Sequence, residues 1–155
     1  MELRPLGVAD CALICRHRAA MFRDSGRSEA VIAEMDTPFR AWLEPRLADG
    51  RYFGWAIVAD GRDIAGLGMM VIDWPPHPSH PTQAQRGYVL NVYVEPDHRR
   101  RGLARRLMDE AVAEAKRRGL QFMILHATDQ GRSLYESLGW VDTAEMALVI
   151  ADTVG

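Results

Sequence analysis

The sequence predicts a three-layer α/β protein, in which a mixed central sheet carries helices on both faces. Two observations carry most of this prediction. The first is a near-continuous apolar run, Tyr88–Val94, rich in β-branched and aromatic residues, as expected of a strand that is covered on both faces. The second is a change of apolar period to that of a helix, in a stripe formed by Leu103, Leu107, Ala111 and Ala115. A buried strand followed by such a helix is typical of a βαβ unit.

The N-terminal part of the chain predicts one strand and two helical regions. Leu3–Leu6 reads as a short strand, and Asp10 or the residues just before it open the first helix. Ser25-Gly26 ends that helix. The second region begins at Ser28 and Glu29, is interrupted by Pro38, and then resumes until Asp49-Gly50. In the first helix we expect three arginines to face outward: Arg16, Arg18 and Arg23.

The middle of the chain predicts a hairpin and a loop. Tyr52–Ala59 alternates, and Asp60-Gly61 turns it into a second strand, Ile64–Trp74. Gly66 and Gly68 in that strand indicate a bulge or a close neighbour. The proline-rich stretch over residues 75–81 can form neither helix nor ladder, so it is a loop.

The C-terminal third predicts the rest of the βαβ unit and a last hairpin. Phe122–Ala127 reads as a strand, and Thr128 or Asp129 caps a short helix that ends at Gly139. Trp140–Ile150 reads as a closing β-hairpin.

The composition is that of one globular domain over residues 1–155, with 48% apolar and 26% charged residues. A net charge of −2 favours neither nucleic acid nor acidic membranes as partners. The sequence contains no apolar run of about eighteen residues, so we expect no membrane span. Cys11 and Cys15 lie four residues apart in one helix, a poor spacing for a disulfide; buried thiols and a cytoplasmic location are expected, and no metal site.

The turn from Arg99 to Ala104 is a candidate anion site. A glycine-bearing turn that opens a helix presents unpaired backbone N–H groups and the positive end of the helix dipole. The competing interpretation is an ordinary strand-to-helix turn with solvated arginines.

Two ordered segments resemble one family. Arg99-x-x-Gly102-x-Ala104 is similar to the Arg/Gln-x-x-Gly-x-Gly/Ala signature of the GCN5-related N-acetyltransferases (GNAT). Leu134–Trp140, LYESLGW, resembles the common LYEKLGF segment of that family. The resemblance implies acetyl-CoA as co-substrate, an amine as acceptor, and a splay between the fourth and fifth strands in which the cofactor lies.

The resemblance also implies the residues of a cofactor site. The backbone of the central strand is expected to pair with the pantetheine arm, and the turn to wrap the pyrophosphate. The implied cofactor-binding residues are Val92, Tyr93, Val94, Arg99, Arg100, Arg101, Gly102, Leu103, Ala104, Thr128 and Arg132.

Tyr135 is the candidate general acid, because it stands where the family often has a tyrosine that faces the cofactor sulfur. Asn91 is a candidate for orienting the substrate or a water. The central strand contains no carboxylate, so the general base stays open; Glu95, a water relay or an already neutral amine would serve. His126, on an apolar strand, is interpreted as structural.

The acceptor pocket is expected from the helix connection, the proline loop and the last hairpin, with Phe22, Trp74, Tyr88 and Met146 as walls. The sequence does not identify the amine. A non-catalytic acyl-CoA sensor of the same fold is the alternative function, and a nucleic-acid patch around the arginines is a weaker one, since no aromatic residues interleave them. By analogy with the family, a homodimer through the closing strands is possible.

Overall fold

The computed structural model describes residues 1–150, which form five strands and four α-helices. In chain order the elements are β1 Glu2–Pro5, α1 Cys11–Asp24, α2 Glu29–Ala48, β2 Phe53–Ala59, β3 Arg62–Asp73, β4 Gln85–Val94, α3 Leu103–Arg117, β5 Met123–Leu125 and α4 Asp129–Ser137. Short 3₁₀ turns at Val8–Asp10 and Pro96–His98 precede α1 and the arginine turn.

The sheet is mixed and open, with strand order β1-β2-β3-β4-β5. Neighbours along the first four strands are antiparallel, and β5 joins β4 in parallel. Helix α3 is the crossover of that parallel pair, as the βαβ pattern requires. The predicted mixed sheet is therefore confirmed.

Two apolar clusters cover the faces of the sheet. Helices α1 and α2 bury one cluster, which includes Ile14, Phe39 and Leu43. Helix α3 buries the other through Leu107, Met108 and Ala111, together with residues of β2, β3 and β4. The sheet thus lies between two helical layers, and the predicted three-layer class is confirmed.

Strand β4 loses its β5 neighbour halfway along its length. The parallel pairs are Gly87 with Met123, Tyr88 with Ile124 and Val89 with Leu125, and the pairing ends there. Strand β4 continues to Val94. Its second half therefore keeps an open hydrogen-bonding edge, which is the predicted splay.

A bulge in β4 lies at the start of this open half. The register with β3 pairs Gly68 with Leu90 but Gly66 with Tyr93, so β4 has one extra residue there. Gly66 and Gly68 also meet close neighbours, because an added Cβ would lie 2.9 Å from His17 Nδ1 and 1.9 Å from the Tyr52 hydroxyl. Of the two alternatives expected for these glycines, the close neighbour is confirmed at both, while the extra residue of the bulge lies opposite them in β4.

Helix α2 corrects the prediction of a break at Pro38. It runs without interruption through Pro38 and Pro45. A proline removes one N–H from the helical ladder, but burial of the apolar face of α2 against α1 compensates for this loss.

The predicted closing hairpin over Trp140–Ile150 is wrong. No residue from 141 to 150 lies in a strand, although the segment has a strand-like composition. A strand needs a hydrogen-bonded neighbour, and none is present for this segment within residues 1–150. Its apolar side chains are exposed instead, from 81% for Val141 to 93% for Met146.

Both cysteines are free and buried. Burial raises the pKa of the Cys15 thiol to about 11, so this thiol stays protonated and unreactive. Over residues 1–150, no helix is both long and apolar enough to span a membrane.

Candidate active site

The turn between β4 and α3 leaves donors open toward solvent. Gly102, with φ of 76°, is the N-cap of α3, and no side chain caps this helix end. The N–H groups of Leu103 and Ala104 have no acceptor within residues 1–150. A Cβ built on Gly102 would meet no atom within 4 Å, so the space beside the glycine of this turn is open. This geometry suits an anion.

The three arginines of the turn differ in their engagement. Arg99 donates from Nε to the Val94 carbonyl at 2.9 Å and from Nη2 to the Asp24 carboxylate at 2.7 Å. Arg99 therefore holds the turn to the end of β4 and to α1. Arg100, which has a left-handed backbone with φ of 64°, and Arg101 are both exposed. Neither of these two guanidinium groups takes part in a side-chain hydrogen bond or an ion pair within residues 1–150.

Asn91 occupies the β4 bulge with φ of 56°, and its side chain is buried. Its Oδ1 accepts from Arg18 Nη1 at 2.8 Å, and its Nδ2 donates to the Tyr52 hydroxyl at 3.0 Å. Asparagine adopts left-handed backbone more readily than most residues, because its short side chain can bond locally. The amide is thus held on the α1 side of the sheet, beside the open half of β4.

A cavity of about 380 Å³ opens on this side. Helix α2 supplies most of its wall and β4 the rest, while α1 supplies one charged side chain. The lining residues are Arg18, Met35, Pro38, Phe39, Trp42, Tyr88 and Leu90.

Arg18 corrects the prediction that it faces outward. The side chain lies in the cavity, half-buried, with its guanidinium carbon 4.9 Å from the Phe22 ring centre and 4.5 Å from that of Phe39. The sequence contained a signal for this position, because Arg18 follows Ile14 by four residues and Cys15 by three and so shares their buried face. The prediction that the Arg18 side chain faces solvent depended on its charge alone.

His126, which the sequence analysis interprets as structural, is exposed and links β4 to the C-terminal segment, residues 141–150. Its Nδ1 lies 2.8 Å from the Tyr88 hydroxyl, and its Nε2 lies 2.8 Å from the Glu145 carboxylate. Since a carboxylate only accepts, a neutral His126 carries its proton on Nε2 and accepts from Tyr88 at Nδ1. Burial raises the pKa of Tyr88, so its hydroxyl stays protonated.

Tyr135 lies on α4 and packs on the apolar cluster under α3, with its ring centre 6.4 Å from that of Trp140. Gly131 makes room for the ring, because a Cβ there would lie 2.9 Å from it. Burial raises the pKa of Tyr135. Its hydroxyl has no hydrogen-bond partner within residues 1–150.

The remaining predicted site residues are dispersed. Thr128 caps α4 by accepting from the Gly131 N–H at 3.3 Å, and Arg132 on α4 pairs with Asp142. Phe22 contacts Arg18 at the cavity edge. Trp74 and Met146 do not line the cavity: Trp74 lies over Arg86 at 4.3 Å, and Met146 is 93% exposed.

Residues 1–150 contain no group of three or more His, Cys, Asp or Glu side chains that could hold a metal ion.

Comparison with known proteins decides the family. The model of the acetyltransferase (GNAT) family matches residues 17–140, which include the cavity, the arginine turn and Tyr135. The chain belongs to the GNAT acetyltransferases. The predicted family is therefore confirmed, and the protein is an acyltransferase of this family.

Solved GNAT structures share the whole architecture. The crystal structure of a GCN5-related N-acetyltransferase from Ralstonia eutropha JMP134 is 55% identical, with a TM-score of 0.96 over 97% of this chain and 99% of that one. The structure of a predicted acetyltransferase with acetyl-CoA from Clostridium acetobutylicum is 28% identical, with a TM-score of 0.87 over 96% of this chain and 94% of that one.

Two relatives carry activity names. An L-methionine sulfoximine/L-methionine sulfone acetyltransferase of Salmonella typhimurium is 29% identical over 170 residues, covering 96% of this chain and 85% of the relative. An L-amino acid N-acyltransferase of Escherichia coli is 39% identical over 62 residues, covering 38% of this GNAT chain and 36% of the relative's length.

Proposed function

We propose that this protein is an acetyl-CoA-dependent N-acetyltransferase that moves an acetyl group to an amine by direct attack in a ternary complex. One observation carries the proposal: the open half of β4 is followed, after the 3₁₀ turn and the arginine turn, by the uncapped N–H groups at the start of α3. An extended pantetheine arm can add to an open strand edge as another strand does, and a pyrophosphate suits the helix end.

The residues of the turn and the strand fit such a ligand. The backbone of Val92 and Val94 would pair with the amides of the pantetheine arm, and the N–H groups of Leu103 and Ala104 would bind the pyrophosphate. Arg100 and Arg101 add charge there, while Arg99 positions the turn. Thr128 and Arg132, at the start of α4, stay candidates for contacts with the cofactor.

Tyr135 is the proposed general acid. The bound acetyl-CoA supplies a thioester whose sulfur leaves as a thiolate, and a simple thiol has a pKa of about 8.5. A neutral phenol with a free proton can protonate such a leaving group as it forms. Burial raises the Tyr135 pKa, which supports this role because it keeps the phenol protonated.

Tyr88, His126 and Glu145 form the proposed route for the proton of the attacking amine. The amine would pass a proton to the Tyr88 oxygen as the Tyr88 proton moves to His126 Nδ1, and Glu145 would stabilise the imidazolium. Asn91 accepts a hydrogen bond from Arg18 and would thereby orient this side chain on the cavity side of the site. The carboxylate that the sequence of β4 lacks is thereby supplied from the C-terminal segment.

Amino acids belong in any panel of acceptors, because one relative is named for L-amino acids and another for methionine derivatives. The two free cysteines favour a reducing cytoplasm as the location. A homodimer is supported by the exposed apolar side chains of the C-terminal segment, which a second copy would cover.

The test is release of free thiol from acetyl-CoA, followed with a thiol reagent, in the presence of a panel of amines and amino acids. The proposed function predicts thiol release that depends on the amine, and an N-acetylated product identified by mass spectrometry. Binding of acetyl-CoA without turnover of any acceptor would favour the acyl-CoA sensor. No binding at millimolar acetyl-CoA would overturn both.

A further inference from the structure

The cavity beside the open half of β4 contains one cation without a counter-ion. No carboxylate within residues 1–150 lies within 4.0 Å of the Arg18 guanidinium. Its Nη1 is bonded to the neutral amide oxygen of Asn91, and its Nε is buried without any acceptor in the same residues. Burial lowers the pKa of Arg18, which reflects the cost of holding a charge here. A half-buried charge is costly unless it is paired.

The surroundings of Arg18 hold the guanidinium in place. It lies over the rings of Phe22 and Phe39, and the bond to Asn91 fixes one arm of the fork. Little side-chain freedom is left to lose when an anion binds, which favours binding. A planar guanidinium matches a carboxylate, because two parallel N–H groups can donate to its two oxygens.

The position of Arg18 limits how far the anionic group of the acceptor can be from the amine that reacts. Asn91, which accepts from Arg18 at 2.8 Å, directly precedes Val92, where the proposed pantetheine-binding segment begins. An anion on Arg18 is therefore close to the reacting end of the ligand. A carboxylate on the carbon next to the amine is close enough to the reacting atoms, whereas an anionic group at the end of a long side chain is not.

Apart from Arg18 and Tyr88, the residues that line the cavity have apolar or aromatic side chains, with the indole of Trp42 among them. Met35, Phe39, Trp42 and Leu90 contribute to its wall, and no acidic side chain lines it. A volume of about 380 Å³ accommodates an amino acid with a large side chain. A positively charged side chain would find no partner among these walls.

We propose that Arg18 binds the α-carboxylate of the acceptor, and that the acceptor is an α-amino acid with an apolar side chain. This inference rests on the proposed function and names its substrate class. Arg18 is thereby a specificity-determining residue, and the amine of the same molecule is directed toward Tyr88 and the thioester.

The test compares phenylalanine and methionine with their methyl esters and with 2-phenylethylamine, which lacks the carboxylate. We expect kcat/KM to be at least tenfold higher for the free acids. In the Arg18→Met variant, we expect kcat/KM for the acids to fall roughly 10- to 100-fold, the range that a hydrogen-bonded charge contributes, and that for the ester to change little. Met keeps apolar contact with the two phenylalanine rings. Arg62→Ala, at an exposed position on β3, is the matched control for loss of charge.

A binding arm separates this inference from the proposed function. Calorimetry with phenylalanine in the presence of coenzyme A measures the complex without turnover, and we expect Arg18→Met to weaken it at least tenfold. Equal losses for acid and ester would overturn the carboxylate assignment while transferase activity remained. Carboxylate-dependent binding without thiol release would instead leave the subsite standing and remove the transferase. A thermal melt confirms that each variant is folded.

Discussion

Asn91 shows how a single residue can define one end of a site. Its left-handed backbone accommodates the extra residue in β4, and the bulge turns its amide toward α1, where it bonds Arg18 and Tyr52. Without the bulge, the alternation of the strand would send residue 91 to the face that α3 covers. The pairing of Asn91 with Arg18 therefore depends on one irregular residue in an otherwise regular strand.

Tyr135 offers the most direct test of the chemistry. Tyr135→Phe removes the proton donor and leaves the ring in its apolar site, so we expect kcat to fall roughly 100-fold, as for loss of a general acid. The KM for acetyl-CoA should stay within about twofold, because the ring still packs on the cluster under α3. Steady-state kinetics and binding of coenzyme A check both. A variant with the wild-type rate would remove Tyr135 from the mechanism.

Glu145 tests the proposed proton route. Glu145→Gln leaves the His126 imidazolium without its carboxylate, so we expect kcat/KM to fall roughly tenfold at pH 7. At a pH above the pKa of the acceptor's own α-amine, that amine is already neutral, and the loss should be much smaller. Rates measured from pH 6 to about 10.5 check this dependence. Glu2→Gln, at an exposed position in β1, should match the wild type throughout, and a pH-independent loss in Glu145→Gln would argue for a merely structural role.

At the scale of elements, the join between β4 and α3 combines an open strand edge with an uncapped helix end. The apolar run, the helical stripe and the glycine between them predicted the strand, the turn and the helix, whereas the open edge was implied only by the resemblance to the family. The periodicity could not predict which of the arginines in the turn form hydrogen bonds or ion pairs. Arg99 is occupied by Asp24, which lies 75 residues earlier in the chain.

Gly102→Ala tests this join. A Cβ at φ of 76° is strained, at a cost of about 1 kcal/mol, and relieving the strain would reorient the N–H groups that follow. Gly61→Ala is a matched control, because Gly61 in the β2–β3 turn has φ of 74° and equally open space. We expect similar losses of unfolding free energy in both variants, and at least tenfold weaker coenzyme A binding only in Gly102→Ala. Equal affinities would place the pyrophosphate elsewhere.

The limits of prediction from the sequence follow from the kind of information each element needs. Local patterns located β4 and α3 and restricted the cap of α4 to Thr128 or Asp129, of which the structure has Thr128. Pro38 misled because burial of α2 compensates for a missing hydrogen bond. The contact of His126 with Glu145 depends on the path of residues 141–150, and no spacing in the sequence encodes that path. Phe39 and Trp42 reach the cavity through packing of α2 on α1, which is likewise non-local.

At the scale of the whole molecule, the C-terminal segment is a part that no other element within residues 1–150 covers. Met146, Leu148, Val149 and Ile150 are each more than 80% exposed. Strand β5 is paired only with β4 within residues 1–150, so it also keeps a free edge. Burying this segment against another chain would remove apolar surface from water.

A second copy of the protein is the proposed cover, and it is testable. We expect the wild type to sediment as a dimer at micromolar concentration, and a variant with Leu148→Asp and Ile150→Asp to shift toward monomer, because a charge in a buried apolar contact is costly. The exposed positions Val8 and Val31, each changed to Asp, give a control with the same added charge. A wild type that stays monomeric at about 100 micromolar, a concentration well above the dissociation constant of a stable dimer, would contradict the proposal.

Helix α1 contacts both halves of the site. Near its middle Arg18 enters the cavity, and at its last residue the Asp24 carboxylate holds Arg99 while the Asp24 carbonyl accepts from Gln130 of α4. A shift of helix α1 when the pyrophosphate binds at the arginine turn would be transmitted to the cavity that contains Arg18. Reciprocity of linked equilibria then requires each ligand to change the affinity of the protein for the other by the same factor, so occupancy of one site sets the effective concentration needed at the other.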